Sequence, residues 1–184
     1  MAKLPIRRYQ GEVCLVETRE DLARAQADLL EESVVGFDTE TRPAFIKGVH
    51  HLPCLVQVAT ARAVYLFPLR RQELFPVLAG MLAATRVVKV GIGLADDLRL
   101  LKEVFLFDAV NMFDPGSIAR RHGLEQSGLR NLAGIFLGFR IPKGKQTSNW
   151  AAARLSPAQI TYAATDAWAC RELYLRYRTL GLVT

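Results

Sequence analysis

Residues 33–38 read Ser-Val-Val-Gly-Phe-Asp. Apolar and β-branched on both faces of an extended chain, this run cannot lie with one side in water, and it is expected to be a central strand covered on both sides by helices. The rest of the chain must therefore supply covering helices and flanking strands. At 184 residues, with 51% hydrophobic and 23% charged content, it has enough material for one such domain and little room for a second. A single domain over residues 1–184 is expected.

The flanking elements can be read from caps and periodicity. Residues 12–18 form a short strand candidate, and Thr18 with Asp21 makes a capping box for a helix to about Leu30. Residues 54–59 and 63–67 are strand candidates close enough to form a hairpin beside the central strand. Residues 73–84 are helical in pattern, 86–90 form another strand, and 95–105 place Leu98, Leu101 and Phe105 on one helical stripe. A last short strand is expected at 111–113, helices around 116–122 and 128–137, and a surface loop over the basic, polar stretch 139–150. The final helix is the best marked: Ser156 is its N-cap, Pro157 its first residue, Gln159 completes a capping box, and Leu155 with Ile160 makes a hydrophobic staple. This alternation predicts a mixed α/β layer structure.

Composition narrows the partners. The formal charge of +6, from 24 Lys+Arg against 18 Asp+Glu, suits a polyanion held through phosphate contacts and counterion release. The longest nearly unbroken apolar run, residues 74–84, is too short to span a membrane, and the N-terminal residues lack the apolar stretch of a signal peptide. Cys14, Cys54 and Cys170 are far apart among apolar residues and read as buried free thiols, as in a reducing cytoplasm. His50, His51 and His122 have no metal-site spacing.

Three acidic patches could carry chemistry. Asp38 and Glu40 flank Thr39 at the end of the apolar strand, where pleating sends both to one face with Cα atoms about 6.6 Å apart. Two carboxylates so placed repel, so they want a cation or an Arg/Lys partner; otherwise Asp38 caps a turn and Glu40 is solvated. Tyr162 and Asp166, four apart, share one face of the last helix. Asp96 and Asp97 enter the helix after residues 86–90, where acids also complement the helix dipole. The preceding Gly91-Ile92-Gly93 lacks the third glycine of a dinucleotide loop, since Asp96 stands there.

In order and spacing, Val-Val-Gly-Phe-Asp38-Thr-Glu40-Thr, Val-Gly-Ile-Gly-Leu-Ala-Asp-Asp97-Leu, Ser148-Asn149-Trp150 and Tyr162-Ala-Ala-Thr-Asp166-Ala resemble the exonuclease motifs of the DEDD superfamily. Tyr162, four residues before Asp166, marks the DEDDy branch. Within it the strings look most like Werner-type exonuclease domains, with ribonuclease D more distant. The resemblance implies an RNase H-like fold, a mixed sheet of about five strands flanked by helices, and 3′-5′ exonuclease activity releasing nucleoside 5′-monophosphates from the 3′ end of DNA or RNA. It implies two metal ions on Asp38, Glu40, Asp97 and Asp166, with Asp38 bridging them and Tyr162 orienting the attacking water with Glu40. The donor set is hard oxygen without Cys or His, which suits Mg²⁺ or Mn²⁺. Thr39 and Thr41 are expected to meet the terminal nucleotide and Lys145 a phosphate, with Lys143 beside it, while Trp150 reads as a core anchor. Asp96 is the rival of Asp97, because ribonuclease D-like sequences carry an acid at that place. The rival function is a catalytically silent nucleic-acid-binding module of the same fold. Oligomeric state is left open.

Overall fold

The computed structural model describes residues 3–46 and 48–183. The first two residues of the N-terminal stretch, residue 47 in the loop after the central strand, and residue 184 at the end of the expected domain lie outside the described residues. In chain order the elements are β1 (Glu12–Leu15), α1 (Arg19–Glu31), β2 (Val34–Thr41), β3 (Pro53–Ala59), β4 (Ala63–Pro68) and α2 (Phe75–Ala83). There follow β5 (Val88–Val90), α3 (Leu94–Leu101), β6 (Met112–Phe113), α4 (Pro115–Arg121), α5 (Leu129–Leu132) and α6 (Pro157–Thr179). A 3₁₀ turn (Gln72–Leu74) leads into α2, and α5 runs on into a π-helical turn (Ala133–Leu137).

Six strands form one mixed sheet in the order β1-β4-β3-β2-β5-β6, one at each strand candidate of the sequence, where the family resemblance implies about five. The expected hairpin is present: β2, β3 and β4 are antiparallel, with Asp38 opposite Gln57 and Val58 opposite Tyr65. The edges are parallel pairs, β1 with β4, β2 with β5 and β5 with β6.

The central strand is covered on both faces. Val35 and Phe37 point with Val56, Val58 and Phe67 into a core closed by Ala25 and Leu29 of α1, Leu78 and Leu82 of α2, and Leu101 of α3. Phe37 is fully buried, which contributes about 2–3 kcal/mol by apolar burial. On the other face Leu55, Ala59, Val64 and Leu66 pack against Ala163, Ala164 and Ala167 of α6 and against Trp150. Small residues on α6 let the helix come down onto the sheet. At Gly36 the approach is so close that a Cβ would run into the carbonyl oxygen of Ala167.

Local signals set the ends of the helices. Both capping boxes form, Thr18 with Asp21 and Ser156 with Gln159. Gly93, with φ of +70°, makes the left-handed turn that a side chain would strain and sends the chain from β5 into α3. The helix α3 ends at Leu101 rather than at Phe105, because the chain tightens into i→i+3 hydrogen bonds at Glu103 and Val104. Phe105 still reaches the core, stacked on Phe75 with ring centroids 4.8 Å apart. The segment 139–150 is a surface loop only in part, since Phe139, Ile141 and Trp150 are buried. Among the described residues no helix is long and apolar enough to cross a membrane. Cys14, Cys54 and Cys170 are free, the first and last buried and Cys54 half-buried.

Candidate active site

Two crossing elements build the centre of the site. The pleat of β2 sends Gly36, Asp38 and Glu40 to the face that α6 covers, while Phe37 and Thr39 point the other way. The approach at Gly36 brings the first half of α6 over the end of β2, and Asp166 lies one residue before the point of closest contact, Ala167. Carboxylate oxygens of Asp38, Glu40 and Asp166 consequently lie within 4.8 Å of one another. Glu40 and Asp166 are buried, at 7% and 5% exposure, and Asp38 is half-buried.

That proximity is electrostatically costly. Asp38 is held well above the usual carboxylate range by burial and then by the charges of Asp166 and Asp97, against which the Thr39 N–H, donating to its Oδ1 at 2.9 Å, works only partly. Glu40 is pushed up to about 10 by burial, with Asp38, Asp166 and Asp97 adding to the effect. Asp166 is raised to about 6, again by burial, with Arg130 and the Tyr162 hydroxyl opposing. Its Oδ1 is buried with no hydrogen-bond partner. Arg171 does not pair with Asp166; it donates to the Val34 carbonyl and pairs with Glu32 at 3.5 Å.

Asp97 stands outside the tight trio but beside it. Burial raises its carboxyl, the Thr39 hydroxyl lowers it, and its charge is felt by both Asp38 and Glu40. Asp96 has an 88% exposed side chain and faces Arg99 at 3.6 Å, so it points away from the cluster. Tyr162 is half-buried. Its hydroxyl accepts from Arg130 Nη2 at 3.1 Å, and its ring lies 6.0 Å from that of Trp150. Burial and then Asp166 raise its pKa, so it is a neutral phenol at ordinary pH.

The remaining expected residues fall around this centre. The Thr39 side chain is buried on the Asp97 side, and Thr41 lies half-buried beyond a bulge between Glu40 and Thr41. Lys145 is exposed; with Arg8, Lys143 and Tyr162 it lines a groove of about 360 Å³. Gln159 ties this loop down by donating to Ser148 Oγ and the Asn149 carbonyl, both at 3.2 Å. Trp150 is a core anchor, 2% exposed. His50 and His122 are exposed, and His51 lies 3.3 Å from Arg42.

Two neighbours of the carboxylates carried no assignment from sequence. Gln57, fully buried opposite Asp38, makes no hydrogen bond with either amide atom and lies beside Glu40. One polar residue in the otherwise apolar run Cys-Leu-Val-Gln-Val-Ala was a legible signal. Arg130 had none, because beside Asn131 in the first turn of a short helix a basic residue reads as part of a solvated face.

The cluster fits a cation. Three convergent oxygen donors, an orphaned Asp166 Oδ1 and carboxyls destabilised by one another match the donor chemistry of a hard divalent ion.

Comparison with known proteins agrees with this geometry. A family model described as 3′-5′ exonuclease matches residues 13–179. The chain is 26% identical over 194 residues to the exonuclease mut-7 homolog of Aedes aegypti, covering 92% of this chain and 27% of that protein. It is 33% identical over 165 residues to a ribonuclease D of Gluconacetobacter diazotrophicus, covering 87% of this chain and 41% of the other. It therefore spans well under half the length of these relatives. The solved structure of the Aedes aegypti Nibbler EXO domain shares the fold with a TM-score of 0.82 at 22% identity, covering 95% of this chain and 93% of that one. With the matched region enclosing both β2 and α6, the chain belongs to the 3′-5′ exonuclease family.

Proposed function

We propose that the chain is a DEDDy-type 3′-5′ exonuclease that hydrolyses DNA or RNA from the 3′ end and releases nucleoside 5′-monophosphates, using two Mg²⁺ or Mn²⁺ ions held by Asp38, Glu40, Asp97 and Asp166. The observation that carries this reading is the convergence of three carboxylates within 4.8 Å, two of them buried, at the end of the central strand. Such ions would neutralise the phosphodiester and the leaving oxygen and lower the pKa of the attacking water.

The chain's own residues divide the remaining work. Asp38, Glu40 and Asp166 provide the donors that α6 and β2 hold in register, and Asp97 adds a fourth from α3. Tyr162, a neutral phenol, orients the attacking water through its hydroxyl and does not take its proton. The groove lined by Arg8, Lys143 and Lys145 offers positive charge to the phosphate backbone next to the Tyr162 ring. Contacts to the terminal nucleotide at Thr39 and Thr41 fall to the backbone of β2, because the Thr39 side chain is turned into the protein. The three free thiols support a reducing, cytoplasmic setting.

The test uses 5′-labelled and 3′-labelled RNA, single-stranded DNA and recessed duplex DNA, with Mg²⁺, Mn²⁺ or EDTA. The 5′ label should give a ladder shortening from the 3′ end, and the 3′ label should leave at once as a mononucleotide, in both cases only with metal. Retention of every substrate at full length, with binding intact, would instead identify a silent nucleic-acid-binding module.

A further inference from the structure

Arg130 stands in the first turn of α5, 32 residues from Tyr162 in the chain. Its Nη2 donates to the Tyr162 hydroxyl at 3.1 Å, and its guanidinium carbon lies 5.8 Å from the centre of that ring. Its Nε is buried without a partner, so among the described residues the Tyr162 hydroxyl is the contact that fixes the guanidinium. Toward Asp38 and Asp166 it acts through charge alone.

The chemistry of the two groups gives this contact a direction. Arginine is a donor only, whereas a phenol has one O–H to donate and lone pairs to accept with. The Arg130 bond therefore occupies a lone pair and leaves the Tyr162 proton to be directed elsewhere. Asp166 lies one turn further along the same face of α6 with a buried Oδ1 that has no hydrogen-bond partner, so a free acceptor for that proton stands on the carboxylate side. Without Arg130 the hydroxyl is free to rotate and accept from solvent or from a substrate hydroxyl.

We propose that Arg130 is a positioning residue: it holds the Tyr162 hydroxyl with its proton turned toward the carboxylate cluster, so that the phenol orients the attacking water in one sense only. The proposal rests on the nuclease reading above for its kinetic consequence, but not for the contact itself.

The test is a double-mutant cycle on the oligonucleotide assay with Arg130→Gln, Arg130→Lys, Tyr162→Phe and the Arg130→Gln/Tyr162→Phe double variant. Arg130→Gln should lower kcat about tenfold, the equivalent of one net hydrogen bond, with KM unchanged. Arg130→Lys, which keeps a charged donor, should recover part of the loss. In the Tyr162→Phe background Arg130→Gln should add nothing. An equal further loss in that background, a raised KM with kcat intact, or no effect at all would overturn the proposal, the second by making Arg130 a phosphate clamp instead. A readout independent of turnover is the set of Tyr162 ring resonances in the NMR spectrum, identified by their loss in Tyr162→Phe. They should shift in Arg130→Gln and hold in Arg130→Lys, and resonances unmoved in Arg130→Gln would refute the contact. If the wild type shortens no oligonucleotide, the nuclease reading falls alone and the resonances decide the Arg130 question.

Discussion

Replacing Asp166 by Asn should stabilise the metal-free protein. In the fold Asp166 titrates at about 6 instead of its ordinary 3.8, so between those values the folded chain holds a proton that the unfolded chain has released. For a carboxylate shifted upward, stability is lost as pH rises through that window: the penalty is absent below 3.8 and complete above about 6. The rise from 3.8 to about 6, at about 1.36 kcal/mol per pH unit, makes the full penalty about 3 kcal/mol. Asn keeps the shape and removes the charge. With Arg130 nearby the three carboxylates titrate as a unit, so the gain belongs to the cluster rather than to one oxygen.

Urea unfolding in EDTA at pH 4, 6 and 8 measures it. Asp166→Asn should match the wild type at pH 4 and exceed it by about 3 kcal/mol at pH 8. Adding Mn²⁺ at about a thousandfold excess over Kd should reverse the order, because it stabilises the binding-competent wild type by about 4.1 kcal/mol and the variant by much less. A variant less stable than the wild type at pH 8 in EDTA, or a difference independent of pH, would show that the cluster is not held under electrostatic strain.

Three other outcomes follow from particular contacts. Asp97→Asn should cut metal-dependent activity at least tenfold while Asp96→Asn leaves it within twofold, since only Asp97 is felt by Asp38 and Glu40; parity between the two in steady-state assays would refute the assignment. Gly36→Val should cost about 3 kcal/mol in urea unfolding by driving α6 off β2, and an unchanged midpoint would contradict the close approach to Ala167. The buried Lys89, whose amine donates to the Ala84 and Val87 carbonyls, is lowered to about 8 by burial, so the wild type should gain on Lys89→Met by about 3 kcal/mol between pH 8 and 10.5, read from paired unfolding curves.

What was legible in the sequence was what local chemistry determines. The two capping boxes mark where α1 and α6 begin, and the both-faces-apolar run 33–38 identified the central strand, since these signals depend on residues within one turn or one pleat. The π-helical turn at Ala133–Leu137 left no trace in periodicity, because it inserts one residue per turn without changing which residues are apolar. The stripe through Phe105 overran α3 because burial constrains where a side chain ends up and not the backbone that carries it there. Basic content likewise hid the anchors Phe139 and Ile141 in the loop before α6, where Trp150 alone reads as core. The carboxylates could be found because their order and spacing are in the chain, while Arg130 became visible only when α5 packed beside α6.

The carboxylates fall into two mechanical groups. Asp38, Glu40 and Asp166 ride on β2 and α6, whose contact at Gly36 and Ala167 is backbone against side-chain-free backbone and so has no rotamer to relax. Asp97 rides on α3, which starts at the left-handed Gly93, and its charge is felt by Asp38 and Glu40. Interiors are close-packed, so the first group can move only if the sheet and α6 separate, at the cost of the packing that closes that face of the fold. The second is held by the opposite face, where Leu94 and Leu101 of α3 are buried in the core with α1 and α2. On the two-ion reading proposed above, three donors thus come from one backbone contact and the fourth from a separately packed helix.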